Sequence, residues 1–471
     1  METNVEFFSC GERKMKKSKK LLALLLAVLL AVSALALPVS AAGAGSIGTR
    51  YPTVFVHGLM GWGSYDRIND IVPYWGMTTG DLMTYLQGQG CECYSASVGP
   101  LSSAWDRACE LYAQLKGTVV DYGAAHAAKY GHSRWGQDFT GAGSNSFTKL
   151  LPGVWDAKHP INLVGHSFGG ATIRLFADIL ADGSAEEQAY SRAHPDAARP
   201  LSDFFTGGKG DWVHSLTTVA APSNGTTFIE ANSDATAAAA VLVTAMAKTL
   251  GISDLKGVYD FRLEQFGIYA DPDETICQAL TRVLSSGFLL HNDNAFEDLT
   301  IDRATDLNKG IEMQGAIYYF SYYGNRTCYN STTKSYQPTL RMWLPFQPFS
   351  LKMCRYSGTT AGWYFDGYGA GLKTVRVAPT KVNKTWQPND GMVNVVSGQW
   401  PFHYDRRGVR HDDNHAPGTV GMTGAKTAVW YVMPEQSVDH IGFVGSFFNE
   451  DILSTHAFYR GLMSNIVNCG G

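Results

Sequence analysis

The sequence predicts an α/β fold, a mostly parallel sheet with helices on both faces. Short apolar, β-branched runs recur along the chain, at 53–58 (TVFVHG), 161–167 (INLVGHS), 215–222 (SLTTVAAP) and 316–324 (AIYYFSYYG). Helix-like stretches lie between and after them, for example 170–182 and the tail 451–467. Continuous apolar runs suit strands buried on both faces, and their alternation with helices implies parallel pairing. No internal repeat and no long Pro or Ser linker divides the chain after residue 41, which argues for one large domain. In such sheets ligand chemistry sits at the carboxyl ends of the strands.

The N-terminus stands apart from this pattern. Lys14, Lys16, Lys17, Lys19 and Lys20 precede an apolar run over 21–36, and Val39-Ser40-Ala41 offers the small residues that a signal peptidase reads. A membrane span needs about 20 apolar residues, and Pro38 ends this stretch earlier. The reading is a secretory signal peptide, 1–41, with translation able to begin at Met15. Its removal leaves a secreted domain, 42–471, with no transmembrane anchor. Hydrophobic residues at 45% and charged residues at 17% suffice for a large core. A formal net charge of −4 leaves no basic footprint for nucleic acid. Seven cysteines follow residue 41, an odd number whose spacing is neither a small disulfide framework nor a paired thiolate zinc site.

The first strand runs into a glycine-rich turn, His57-Gly58-Leu59-Met60-Gly61-Trp62-Gly63. The next segment, about 102–151, exceeds a minimal strand–helix alternation. It places Asp106, His126 and His132 close together in the chain. A carboxylate with neutral imidazoles suits zinc, and a pair of surface histidines is the alternative. The two histidines are six apart, so they cannot share a face of one regular helix. The turn at Gly131 has to bring them together.

The strongest local signal follows, Gly165-His166-Ser167-Phe168-Gly169 between a strand-like and a helix-like stretch. A serine on a strained strand-to-helix turn needs small flanking residues so that its hydroxyl projects above the sheet. That hydroxyl becomes a nucleophile only when an imidazole takes its proton and a carboxylate fixes the imidazole's tautomer. The expected chain order is Ser, then Asp or Glu, then His. Asp390 in PNDGMVN and His440 in SVDHIGFVG are the late candidates. Asp390 reads as an exposed carboxylate before a β-like MVNVV run. His403, His411, His415 and His456 compete with His440, and Asp439 is a poorer orienter because consecutive side chains diverge. The backbone N–H groups of Phe168 and Leu59 are the expected oxyanion donors. Their side chains, with Met60 and Trp62, are expected to line an apolar acyl pocket.

A second long segment, about 222–307, contains an Ala-rich stretch at 234–251 that is apolar on nearly all faces. It reads either as a core helix or as a lid that presents apolar surface to lipid.

The chain resembles the thermoalkaliphilic, zinc-containing true lipases of Gram-positive bacteria, related to the staphylococcal lipases. The likeness runs from about Tyr51 to near the C-terminus. It is carried by VFVHGLMGWG, YWG, the long run VGPLSSAWDRACELYAQLKGTVVDYGAAHAAKYGHSRWG, VGHSFGGATIRLF, SLTTVAAPSNGTT, VYDFRLEQFG, NDGMVN and VDHIGFVG. The resemblance implies an α/β-hydrolase fold with a zinc-binding insertion and a helical lid. It implies Ser167 as nucleophile, His440 as base, Asp390 as orienter, and Leu59 and Phe168 at the oxyanion hole. It further implies a structural zinc held by Asp106, His126, His132 and Asp293. Relatives carry an acidic calcium ligand two residues after the catalytic histidine, where this chain has Gly442, and Ser446, Phe447 and Phe448 stand where a further acid is expected. A calcium site is therefore not expected, since calcium needs several oxygen ligands. The implied activity is triacylglycerol hydrolysis at a lipid–water interface. Carboxylesterase or phospholipase activity is the alternative, and a non-catalytic binding protein of the same fold is a third reading.

Overall fold

Seven parallel strands make the central sheet, and their carboxyl ends share one edge. They are β1 (Thr53–Val56), β2 (Cys93–Ala96), β3 (Ile161–His166), β4 (Val213–Val219), β5 (Tyr318–Tyr322), β6 (His415–Pro417) and β7 (Trp430–Val432). The spatial order is β6-β7-β5-β4-β3-β1-β2, with every pairing parallel. This computed structural model describes residues 46–470, except 144–145, 197, 233, 361–362, 367–372, 377–380, 405–409, 412–413 and 446–451. The signal-peptide reading, and the positions Ser446, Phe447 and Phe448 weighed for calcium, lie outside the described residues. Residues from Ile47 onward pack as one unit.

The strands form where the apolar runs predict them. All of β1 and β3 is buried, as expected of strands covered on both faces. One face carries α1 (Ala104–Lys116) and α3 (Phe168–Asp182), which pack with Val54, Val56 and Leu163. The other face packs Phe55, Val164 and Phe320 against Trp75 and α7 (Ile452–Val467), whose Tyr459, Leu462 and Met463 are buried there. Between α1 and β3 lie α2 (Ala124–Tyr130) and a small antiparallel hairpin, Val119–Asp121 with Trp135–Asp138. After β4 come α5 (Ala235–Thr249) and α6 (Ile276–Ser285); the short helix between α3 and β4 is α4 (Ala185–Ala193).

Two local expectations fail. MVNVV is not a strand: residues Val395–Gln399 form a short helix after Asn394, whose side-chain oxygen accepts from Thr227 N. The Ala-rich α5 is not buried on all sides. Ala239, Leu242 and Val243 are buried, while Val241 is 56% exposed. Alanine reads as apolar, yet its small side chain leaves little surface that must be covered. All seven described cysteines are free thiols.

Candidate active site

Ser167 occupies a turn that the surrounding glycines make possible. It has φ 54 and ψ −128, a conformation costly for a residue with a Cβ. A Cβ at Gly165 would lie 2.5 Å from Gly169 O, and one at Gly169 would lie 2.2 Å from Val56 O. Helix α3 therefore starts directly against the ends of β1 and β3, with Ser167 standing at its N-terminus. A Cβ at Gly58 would lie 2.6 Å from Ser167 Cβ, so the first glycine-rich turn is also held at van der Waals range of the serine.

The structure brings the three candidate residues into one series. His440 Nε2 lies 2.8 Å from Ser167 Oγ, and His440 Nδ1 lies 2.9 Å from Asp390 Oδ2. The other carboxylate oxygen of Asp390 accepts from the Met392 N–H (3.0 Å) and the Val393 N–H (2.7 Å). Those bonds orient the carboxylate, and the His440 N–H donates to the Asp390 carbonyl (3.0 Å). Asp390 is not exposed as its turn-like sequence implies; it is 1% accessible. The tight turn at Gly391 (φ 107) folds the carboxylate back under its own backbone instead.

The competing histidines stand elsewhere. His456 stacks on Tyr85 at 3.4 Å, and His415 stacks on Trp400 at 3.9 Å. The side chains of His403 and His411 lie outside the described residues. Asp439, passed over as an orienter, accepts from Trp343 N (2.7 Å) and Gly442 N (3.0 Å), and so ties the His440 loop to the segment before Leu344. Burial pushes its carboxyl up to about 6.

Leu59 lines the same cleft as Ser167, and Phe168 follows the serine at the start of α3. Among the described residues neither N–H donates to a protein acceptor. Their side chains diverge, however. Leu59 lines a cleft over Ser167 and His440, together with Met60, Met77, Val243, Trp343 and Phe346. Phe168 is fully buried on the opposite side, under the Arg107 guanidinium. Trp62 does not line the cleft either; it is buried behind it and donates to Val72 O (2.7 Å). Helix α5 contributes Ala239, Leu242, Val243 and Met246 to its lining.

A second group of polar residues sits on the same side of the sheet as α1. Asp106, His126, His132 and Asp293 each offer a ligand atom, and those atoms all lie within 4.8 Å of one another. Gly131 (φ 75) ends α2 and lets His132 fold back toward His126, as the spacing requires. His126 Nε2 is 3.0 Å from Asp293 Oδ2 and 3.3 Å from Asp106 Oδ1; His132 Nε2 is 3.2 Å from Asp293 Oδ2. His132 Nδ1 faces the Ser133 carbonyl at 2.8 Å, which places its proton there and leaves Nε2 bare. Asp106 Oδ1 and His132 Nε2 are buried with no hydrogen-bond partner. Burial lowers an imidazole, yet Asp293 and Asp106 outweigh it and lift His126 to about 10. Two carboxylates and two imidazoles converging with unpaired atoms fit a cation of tetrahedral preference. Gln265 steadies Asp106 Oδ2 (2.8 Å), and Glu187 of α4 accepts from Ala125 N and His126 N (3.0 and 2.7 Å), which anchors the start of α2.

The sequence reading missed Tyr74, His166 and Arg107. Arg107 donates to the carbonyls of His57 and Gly99 and to Thr172 Oγ1, and so braces the end of β1 from α1. Its neighbour Asp106 belongs to the second, histidine–aspartate group, and one helix thus serves both groups.

A family model described as "Lipase-like, C-terminal domain" matches residues 49–356. The chain belongs to this lipase-like family. A lipase from Staphylococcus epidermidis is 33% identical over 421 residues, which cover 88% of this chain and 53% of that protein. The chain thus spans about half the length of the curated relatives it matches. EstA from Clostridium botulinum has a structure similar at TM-score 0.73 and 32% identity, over 89% of this chain and 88% of that one. The Staphylococcus hyicus lipase follows at TM-score 0.67 and 28% identity, over 90% and 98%. The architecture of this lipase-like chain is that of an α/β-hydrolase. Among its described residues no helix is long and apolar enough to cross a membrane.

Proposed function

We propose that the protein is a secreted triacylglycerol lipase that hydrolyses carboxylic esters of acylglycerols through Ser167, His440 and Asp390. The observation that carries this reading is the uninterrupted series from Asp390 through His440 to Ser167, at the floor of an apolar cleft. The lipase family membership supports the substrate class.

Asp390 accepts the Nδ1 proton of His440, which leaves Nε2 free to take the Ser167 proton as Oγ attacks the ester carbonyl. The Leu59 and Phe168 N–H groups receive the developing oxyanion, and the N-terminus of α3 adds its partial positive charge. His440 returns the proton to the departing alcohol. Water then enters by the same route, and the fatty acid leaves. The acyl chain lies along Met77, Trp343 and Phe346, where burial favours it by about 25 cal/mol per Å² of apolar area.

Asp106, His126, His132 and Asp293 would hold a structural zinc ion, whose charge would bind α1, α2 and the Asp293 loop together. Helix α5 would cover the cleft in water and swing aside at a lipid–water interface, with its exposed Val241 facing the lipid. The leader at 1–41 accounts for export, and 42–471 forms one catalytic domain whose inserts at about 102–151 and 222–307 carry the metal cluster and the lid.

The test is hydrolysis of a triacylglycerol chain-length series by the purified chain, in solution and as emulsions. Long-chain esters should be cleaved, and faster once emulsified. Turnover restricted to short soluble esters would point to a carboxylesterase, and turnover restricted to phosphoglycerides to a phospholipase.

A further inference from the structure

The hydrogen bonds around Tyr74 and His166 form a directed chain between two loops on either side of Ser167. The Gly58 N–H donates to the Tyr74 hydroxyl (3.0 Å), and that oxygen lies 2.6 Å from His166 Nδ1. Across the ring, His166 Nε2 lies 3.0 Å from the backbone carbonyl of His440. A carbonyl only accepts, so Nε2 carries the proton. His166 is fully enclosed, and burial with the neighbouring His440 holds it well below the usual imidazole range. The ring is therefore neutral and Nδ1 accepts. The Tyr74 hydroxyl has one remaining role, to donate to Nδ1 while it accepts from Gly58. Every donor and acceptor in the chain has a single assignment.

The geometry points to Tyr74 and His166 as positioning residues that register the oxyanion loop at Gly58 and Leu59 against the backbone of His440. This rests on the hydrolase reading given above. The two loops come from the ends of β1 and β7, which are not neighbours in the sheet. Backbone pairing therefore does not fix their separation. The bridge does, through a neutral imidazole that places no extra charge beside the base. Neither residue exchanges a proton with substrate; each acts through Gly58 or His440. The Tyr74 ring also packs on Trp62 and Trp75, with centroids 5.5 and 5.4 Å away, so its place in the core does not depend on the hydroxyl.

The experiment compares Tyr74→Phe, His166→Leu and His166→Gln with the unchanged full chain on one soluble ester. Thermal midpoints and affinity for an alkylboronic acid, a mimic of the tetrahedral anion, are measured beside the kinetics. Tyr74→Phe should lower kcat by about 10- to 100-fold with KM nearly unchanged, and weaken boronic-acid binding in parallel. His166→Leu should cost at least as much. His166→Gln, whose amide both donates and accepts, should recover part of the loss. The double variant Tyr74→Phe with His166→Leu should be no worse than the poorer single one, because both cut the same chain. Unchanged kcat in Tyr74→Phe, or a lower thermal midpoint with kcat per folded molecule retained, overturns the proposal. If Tyr74→Phe does not fold, equal kcat in His166→Gln and His166→Leu overturns it. An unchanged chain without esterase activity overturns the hydrolase reading as well, whereas an active chain with an equally active Tyr74→Phe variant overturns this proposal alone.

Discussion

Two buried groups of histidine and aspartate lie on this molecule, and they differ in how their polar atoms are used. Around Ser167 each atom has its own partner. Backbone donors hold one Asp390 oxygen, His440 Nδ1 takes the other, and Nε2 meets the serine. Around Asp106 the atoms converge. His126 and His132 both turn Nε2 toward one oxygen of Asp293, and Asp106 Oδ1 has no hydrogen-bond partner. A series suits the passage of a proton, whereas convergence suits a cation that satisfies all the atoms at once. The same residue types are thus arranged in two different ways, by geometry alone.

The sharpest way to break this contrast is to remove the end of the series. Ser167→Ala should lower ester hydrolysis by about 10⁴-fold or more with an unchanged thermal midpoint; activity that survives it places the chemistry elsewhere. Asp390→Asn should cost roughly 10³- to 10⁴-fold in kcat, because the wrong tautomer of His440 would then face the serine. A loss below tenfold would show that the Asp390–His440 contact does not act in series.

The convergent group should answer to metal instead. Elemental analysis of the purified chain should find about one zinc per molecule. His126→Ala should lose it and lower stability by about 3–4 kcal/mol at zinc concentrations a hundred- to a thousandfold above Kd. Equal melting temperatures with and without a chelator would remove the structural role.

The last expected effect is on the pH dependence of stability rather than on activity or metal, and concerns Glu110 of α1. It accepts from the Gly99 N–H (2.5 Å) and the Tyr122 hydroxyl (3.0 Å), yet burial pushes its carboxyl from 4.5 up to about 8. The folded state therefore holds a proton that the unfolded chain releases, and stability should fall as pH rises from about 4.5 to about 8. Glu110→Gln should flatten that part of the melting-temperature profile. An identical slope in the variant would assign it to other groups.

Much of this was legible locally. The elbow at Ser167 could be read because its requirement for glycine acts within a few residues, and the apolar runs gave the strands for the same reason. What lay beyond local reach went astray. Asp390 looks exposed because its turn sequence is polar, but the Gly391 turn and the packing beneath it bury the carboxylate. Phe168 looks like a pocket residue because it follows the serine, but α3 turns its ring to the far side of the sheet. Tyr74 gave no signal beyond a short aromatic motif, since its partner lies 92 residues away in sequence.

The sequence by itself determined which residues could react: a serine between glycines, late acid and histidine candidates in the right order, and a donor set suited to zinc. Those are properties of side-chain chemistry and of backbone conformation over a few positions. The tertiary structure decided which histidine meets the serine, which atoms are left unpaired for a cation, and how the loops after β1 and β7 are held in register. These depend on distances between segments far apart in the chain, and such distances are set only when the sheet closes and the core is packed.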